Sequence, residues 1–164
     1  MNELMVHVAM GEVAVSNEEE AMLESFVGSC VAFCLYDPNA KIAGMAHIVL
    51  PDSSQAHTSS NFSPSGKYAD QAVETLVKMM NRKGGNVKRF RAKMAGGANM
   101  FTHESGISLF DIGKRNAEAL RKILKEKKIP LIAEDIGLNH GRRIKFSIKS
   151  GEVIVSSKNN VKKL

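Results

Sequence analysis

The chain has 164 residues, 43% of them hydrophobic, and a formal net charge of +6 at pH 7. This length suits one domain with a substantial apolar core and is too short to argue for two, so a single domain over residues 1–164 is predicted, with 158–164 as a candidate flexible tail. The sequence has no run of 18 apolar residues and no secretory signal pattern at its start, which predicts a cytoplasmic protein without membrane insertion.

The charged residues are unevenly distributed along the chain. Residues 1–40 contain seven acidic side chains and no Lys or Arg, and all 23 basic residues follow them. The basic residues are scattered, with short clusters at 88–93, 122–128 and 142–145. We interpret these clusters as solvated faces, or as a positive surface for an acidic protein partner, and not as a nucleic-acid-binding site, since aromatic residues are not interleaved with them.

The first third of the chain is predicted to consist mainly of strands. Alternating apolar residues over 4–15 predict a strand or a bulged strand pair, and the acidic segment 16–25 is expected to form a short helix or an ordered loop. Two short apolar runs, Cys30–Tyr36 and Ile42–Pro51, flank the turn-forming sequence Asp-Pro-Asn-Ala-Lys, which predicts a β-hairpin. The Ser-rich segment 52–66 is expected to be a mobile surface loop.

The rest of the chain is predicted to contain two helices and several strands. Apolar residues at helical spacing predict a helix over 67–82, and a second helix is expected to begin at Asp111 as its N-cap. The remaining patterns predict a strand at 90–94, a strand at 130–137 and a hairpin over 142–157. Because strands outnumber helices, the predicted fold class is α+β, with packed mixed or antiparallel sheets and two main helices outside.

Both cysteines, Cys30 and Cys34, lie in the first strand of the predicted hairpin. Four residues apart on a strand, they share a face but lie roughly 13 Å apart, too far for a disulfide or a shared zinc ion. Cys34 lies in mid-strand among apolar residues and is interpreted as part of the core. Cys30 follows Gly28-Ser29 directly, where a tight turn can expose its side chain and direct backbone N–H groups towards one point.

A nucleophilic cysteine needs a base that lowers its pKa or takes its proton, and His47 is the best candidate. If the hairpin turn is centred on residues 39–40, residues pair when their numbers add up to about 78 or 79. Cys30 then falls opposite residues 48–49, and His47 is a near neighbour across the ladder. From spacing alone the alternative stays open: a core cysteine beside a hydrogen-bonded strand histidine.

Several segments together resemble, in order and over nearly the whole chain, the CheD family of chemoreceptor glutamine deamidases. They are VGSCVAFCLYDPNAKIAGMAHIVLPDS, GKYADQAVETLV, AKMAGGANMF, IGKRNAEAL and LIAEDIGLNHGRRIKFSIKSGEV. The most specific feature is Gly-Ser-Cys-Val followed by Met-Ala-His, with the histidine 17 residues after the cysteine, which is matched here by Cys30 and His47.

The resemblance implies papain-like chemistry on a fold shared with deamidating bacterial toxins, with Cys30 as nucleophile and His47 as general base. The implied substrates are glutamine side chains on chemotaxis receptors, which become glutamate with release of ammonia through a cysteine thioester. No metal or organic cofactor is implied. A CheC-type phosphatase is the second implied partner, and a catalytically weak scaffold that binds it is the alternative function.

The sequence departs from the family pattern at one place, before the cysteine. CheD proteins usually carry a threonine five or six residues before the cysteine, taken to orient the histidine, and these positions here hold Ser25 and Glu24. Ser25 keeps the hydroxyl and is preferred as the third site residue, while Glu24 competes but belongs to an acidic run interpreted as solvated. Gly96-Gly97 matches a further family motif and is interpreted as a strand end or bulge without an assigned chemical role.

Overall fold

The computed structural model describes residues 4–54, 65–100 and 111–164. Within these ranges, two five-stranded sheets pack face to face, and two helices cover the other face of one sheet. The predicted α+β class with helices outside packed sheets is therefore confirmed. Most of the predicted loop at 52–66 lies outside the described residues. None of the described helices is long and apolar enough to cross a membrane.

The helices and strands follow one another in a mixed order. In the described parts of the chain they are β1 (Leu4–His7), β2 (Val13–Ser16), β3 (Ala21–Val27), β4 (Val31–Asp37), β5 (Ile42–Ile48), α1 (Ala69–Arg82), β6 (Arg91–Gly96), α2 (Ile112–Lys127), β7 (Leu131–Ile136), β8 (Arg142–Ser147), β9 (Val153–Ser157) and β10 (Asn160–Lys163), with a 3-10 turn at Val87–Arg89.

The two sheets differ in how they are covered. The central sheet, in the order β2-β5-β4-β6-β7, packs against α1 and α2 on one face and against the outer sheet, β1-β3-β8-β9-β10, on the other. Each sheet has one parallel pair, β6 with β7 and β1 with β3, and is otherwise antiparallel. The central strands β4 and β5 are buried on both faces, which explains their nearly unbroken apolar sequences.

Two apolar cores result, one on each face of the central sheet. Alternate residues of β4 point to opposite faces: Val31, Phe33 and Leu35 contact the helices, whereas Ala32 and Cys34 lie between the sheets. Burying each large side chain of this kind stabilises the fold by about 1.5–3 kcal/mol. Cys30, two residues before Ala32, continues the same alternation and also belongs to the inter-sheet cluster.

The predicted hairpin and the predicted start of the second helix are confirmed. Strands β4 and β5 pair with Val31 opposite Ile48 and Ala32 opposite His47, so paired residue numbers add up to 79 as expected. At the start of α2, the Asp111 side chain accepts a hydrogen bond of 3.0 Å from the backbone N–H of Lys114.

The expectation for residues 16–25 is wrong, because Ala21–Val27 is a strand that lies between β1 and β8 in the outer sheet. Ala21, Leu23 and Ser25 are buried between the sheets, a period of two that the preceding glutamates obscure in the sequence. The N-terminal strands also do not pair with each other, because β1 lies in the outer sheet and β2 in the central sheet.

The candidate tail at residues 158–164 contains a strand. β10 pairs antiparallel with β9, from Asn160 opposite Ser157 to Lys163 opposite Ile154. The Leu164 backbone N–H also donates to Val153 O at 2.7 Å. These bonds hold the segment in the outer sheet, contrary to the expectation of a flexible tail.

Candidate active site

The three predicted site residues come from separate parts of the chain and share the space between the sheets. Ser25 lies on β3 of the outer sheet, His47 on β5 of the central sheet, and Cys30 directly before β4. All three are buried, with 0%, 4% and 6% of their surfaces exposed. The expectation that the turn exposes the Cys30 side chain is therefore wrong.

Ser25 and His47 are in direct contact. The Ser25 hydroxyl oxygen lies 2.8 Å from Nδ1 of His47, and the same hydroxyl donates to Val8 O at 2.7 Å. Because a serine hydroxyl carries one hydrogen, which points to Val8, the oxygen is left to accept from an Nδ1–H group. This assigns the imidazole proton to Nδ1 and leaves the lone pair on Nε2.

The other ring nitrogen of His47, Nε2, is buried. Across the described parts of the chain, Nε2 has no hydrogen-bond partner. A buried polar atom left in this way costs about 1–3 kcal/mol and is typical of a catalytic position. Burial lowers the pKa of His47, and the contact of 3.3 Å between its Nδ1 and Val8 O opposes this. The imidazole is therefore neutral at pH 7 and able to accept a proton at Nε2.

Cys30 is placed close to His47 but is not bonded to it. Ala32 is the residue directly opposite His47, and Cys30 lies two positions further along the same face, which makes it a diagonal neighbour of the histidine. Since Nε2 has no partner among the described residues, the thiol does not form a hydrogen bond with it. Burial raises the pKa of Cys30, so the structure contains a thiol beside a neutral imidazole and not an ion pair.

The interpretation of Cys34 as a core residue is confirmed. Cys34 is 1% exposed and lies in the inter-sheet core with Met45 and Phe146. Burial raises the pKa of its thiol, and the nearby Lys93 offsets this only in part. A buried thiol that stays protonated is a poor nucleophile.

Glu24 lies on the opposite face of β3 from Ser25. It is only 8% exposed, and its carboxylate accepts a hydrogen bond of 2.6 Å from Nε of Arg143. The interpretation of Glu24 as part of a solvated face is therefore wrong. Because successive residues of a strand point to opposite faces, Glu24 points away from His47, which contacts Ser25.

The Gly96-Gly97 motif holds the backbone of the cysteine turn. Gly97 N–H donates to Cys30 O at 2.9 Å, and Ala98 N–H donates to Gly28 O at 3.0 Å. At Gly96, φ is +118°, and a Cβ atom would lie 2.4 Å from Cys30 O. Glycine is required there both by the backbone conformation and by this close approach.

Sequence reasoning missed Arg142, which it placed in a solvated basic cluster. The Arg142 side chain is buried and donates to Gly96 O at 2.9 Å and Gly137 O at 2.7 Å, and its Nε lies 3.1 Å from a carboxylate oxygen of Asp135. It therefore braces the glycine motif that contacts Cys30. The available signal was the alternation of Arg142 with Ile144, which places both on the inner face of β8.

Asn116 was also missed. It is fully buried in α2, and its Nδ2 donates to Val49 O at 3.0 Å, with Ser29 O at 3.5 Å. The amide thus lies between the segment that follows His47 and the turn that precedes Cys30. A polar residue on the apolar face of a predicted helix, next to Ala117 and Leu120, was the signal that could have identified it.

A solved structure supports the fold. The crystal structure of the Bacillus licheniformis hypothetical protein YfiH is similar to this chain with a TM-score of 0.50 and 18% sequence identity, over 78% of this chain and 51% of the YfiH chain. This chain thus spans about half the length of YfiH, and the likeness concerns the fold alone.

Curated relatives are similar over almost the whole chain. A probable chemoreceptor glutamine deamidase CheD from Caldanaerobacter subterraneus subsp. tengcongensis is 38% identical over 157 residues, covering 96% of this chain and 95% of the relative. The chemoreceptor glutamine deamidase CheD of Thermotoga maritima is 42% identical over 148 residues, covering 90% and 88%. The model of the family described as CheD chemotactic sensory transduction matches residues 49–157. The chain therefore belongs to the CheD family.

Proposed function

We propose that this protein is a chemoreceptor glutamine deamidase, which hydrolyses receptor glutamine side chains to glutamate and ammonia. The observation that carries the proposal is the Ser25–His47 contact of 2.8 Å. It directs Nε2 of a neutral, buried imidazole, which has no partner among the described residues, to the same face as Cys30. The names of relatives 38% and 42% identical to this chain support the choice of substrate.

The first half of the reaction forms a thioester. Nε2 of His47 takes the thiol proton while the Cys30 sulfur attacks the carboxamide carbon, so that a C–S bond forms and the carbonyl electron pair moves onto oxygen. His47 then gives the proton to the amide nitrogen. The C–N bond breaks, ammonia leaves, and the substrate side chain is held on Cys30 as a thioester.

The second half consumes water. His47 removes a proton from a water molecule, whose oxygen attacks the thioester carbon. The C–S bond then breaks, the sulfur takes the proton back, and glutamate is released. Throughout, Ser25 accepts from Nδ1–H and keeps Nε2 as the nitrogen that exchanges protons.

The cysteine and histidine must approach each other for this chemistry. They are diagonal neighbours without a hydrogen bond, an arrangement common in enzymes without substrate, where catalytic contacts shorten only in the reactive complex. Substrate binding is expected to bring the Cys30 sulfur within reach of Nε2. We also propose that the protein binds a CheC-type phosphatase and is located in the cytoplasm.

The direct test uses the cytoplasmic fragment of a chemotaxis receptor as substrate. Incubation with the purified protein is expected to add 1 Da for each glutamine converted and to release one ammonia per site, both absent with Cys30→Ala. Mass spectrometry of receptor peptides identifies the modified glutamines. A protein that binds a CheC-type phosphatase but leaves receptor mass unchanged would instead fit the scaffold alternative.

The orienting role of Ser25 predicts a specific ranking of variants. Ser25→Ala removes the acceptor for Nδ1–H and is expected to lower kcat by roughly 10- to 100-fold, because the imidazole is no longer held in orientation. Ser25→Thr keeps the hydroxyl and is expected to retain activity. Glu24→Gln is expected to change kcat little, because Glu24 bonds Arg143 on the other face of β3. Steady-state deamidation kinetics give kcat for all three variants.

Thermal unfolding of each variant is the control, because it shows whether a variant with a lower rate is still folded. A loss of kcat in Ser25→Ala with KM nearly unchanged would point to orientation of the histidine and not to receptor binding. The assignment is contradicted if Glu24→Gln is the damaging change while Ser25→Ala is silent.

A further inference from the structure

The backbone ladder between β4 and β6 is interrupted at Cys30. The two strands pair regularly up to Val31 opposite Gly96, so the next pair in the ladder is Cys30 and Gly97. In a regular antiparallel sheet, this pair would exchange two hydrogen bonds, each residue donating its N–H to the other's carbonyl. One of these is made, from Gly97 N–H to Cys30 O at 2.9 Å.

The second bond of the pair is missing. In the described ranges, no acceptor receives a hydrogen bond from the Cys30 N–H, and Gly97 O in particular does not. The conformation of Gly97 explains this, because its φ of +61° lies in the left-handed region and turns the following carbonyl out of the ladder.

Helix α2 meets the displaced carbonyl at a second glycine. A Cβ atom on Gly113 would lie 2.3 Å from Gly97 O and 2.4 Å from Gly97 C, distances that no side chain could occupy without moving the Gly97 backbone. Gly113 thus provides the space into which the Gly97 carbonyl turns. On the other side of Gly97, Arg142 holds the Gly96 carbonyl at 2.9 Å and keeps the motif in place.

We propose that Gly97 and Gly113 are positioning residues that keep the Cys30 N–H free to bind the oxyanion of the tetrahedral intermediate. The proposal rests on the function proposed above. When the sulfur attacks a carbonyl carbon, the electron pair of the broken π bond moves to the oxygen. This oxygen stays bonded to the carbon that now carries the sulfur. That oxygen can reach the N–H of the same cysteine, and a prepared donor of this kind stabilises the developing charge.

Two small reagents separate this role from a general structural one. Acylation of Cys30 by p-nitrophenyl acetate passes through an oxyanion and releases p-nitrophenolate. Alkylation by iodoacetamide displaces iodide at a saturated carbon and forms no oxyanion. The rates measured with Cys30→Ala are subtracted from both rates, and this subtraction also removes any contribution from Cys34. Neither reagent requires a receptor.

Gly113→Ala is the main variant, because its methyl group would push the Gly97 carbonyl back towards the ladder. The expected result is an acylation rate lowered by about 10- to 100-fold with an alkylation rate within about two-fold of wild type. Gly97→Ala, which disfavours the left-handed conformation, is expected to behave in the same way. Gly141→Ala is the matched control, since its Cβ would meet only Val27 O at an ordinary 3.5 Å.

A third measurement uses the unaltered protein and so does not depend on whether the variants fold. Acetaldehyde adds to the Cys30 thiol as a hemithioacetal, with the C–S bond formed and the thiol proton transferred to oxygen. The amide proton resonance of Cys30 is expected to move downfield as its N–H donates to that oxygen.

Several results would overturn the proposal. Equal loss of acylation and alkylation in Gly113→Ala would mean a general disturbance of the thiol, and no loss of either would mean that the carbonyl position is irrelevant. An unmoved Cys30 amide resonance, or a Cys30 inert to both reagents in wild type, would also refute it. If acylation is lowered in Gly113→Ala as expected, but the wild-type protein leaves receptor glutamines unchanged, the proposed function fails and the role of Gly97 and Gly113 still stands.

Discussion

Cys30→Ala is expected to abolish glutamine deamidation, whereas Cys34→Ala should retain most of the activity. The reason lies in position and not in burial, because both thiols are buried and both have raised pKa values. Cys30 opens its strand in a turn braced by the glycine motif, diagonal to His47. Cys34 lies four residues, or two strand alternations, further along β4, where it is 1% exposed and on the side of the site away from His47's diagonal neighbour Cys30.

The two cysteine variants differ in their expected effects on stability as well. Cys34→Ala leaves a small cavity in the inter-sheet core and is expected to lower the free energy of unfolding by about 1 kcal/mol. Urea unfolding measures this, and the receptor mass shift measures activity. Equal loss of activity in the two variants, with both folded, would contradict the assignment of Cys30 as the nucleophile.

His47→Ala is expected to remove turnover while the protein still folds. General acid and base catalysis contributes about 10²- to 10⁴-fold, and here one imidazole serves the cysteine, the ammonia and the water in turn. The fold should survive, because the Ser25 hydroxyl keeps its bond to Val8 O when the imidazole is gone. Loss of one hydrogen bond costs about 1 kcal/mol. His140→Ala, which alters a histidine outside the site, is the matched control.

The pH profile of the unaltered protein gives a second measurement of the same assignment. A protonated His47 cannot accept the thiol proton, so kcat/KM should fall as pH drops through the pKa of His47. Because burial lowers that pKa, the fall is expected below about 6.5. Burial raises the pKa of Cys30, so alkylation should keep rising through pH 8–9. Near-normal rates for His47→Ala, or alkylation that is constant across neutral pH, would contradict a neutral Cys–His pair.

The pairing of β4 with β5 was determined by the sequence alone. It depends on local features, namely a turn of defined length between two apolar runs, and such features are present in the chain before it folds. The same register brings Cys30 and His47 together on one face. The N-cap of α2 at Asp111 was predictable for the same reason, because a cap involves residues only three apart.

The tertiary structure decided which side chain contacts the histidine. Ser25 meets His47 because β3 pairs with β8 in one sheet, β5 lies in the other, and the Ser25 face of β3 turns inward. These contacts join residues far apart in sequence, and a shift of one residue in the strand would have placed Glu24 inward instead. Local propensity favoured no strand at all in this acidic segment.

The glycine motif shows the same division between local and long-range determinants. The sequence by itself predicted that a strand ends at Gly96-Gly97, because glycine weakens a strand and often marks its end or a bulge. Only the tertiary structure decided what the interruption serves, since Cys30 O, the Arg142 guanidinium and Gly113 reach the motif from three separate elements. A sequence pattern specifies which backbone conformations are possible at a residue, but the groups that the backbone then meets depend on how distant strands and helices pack.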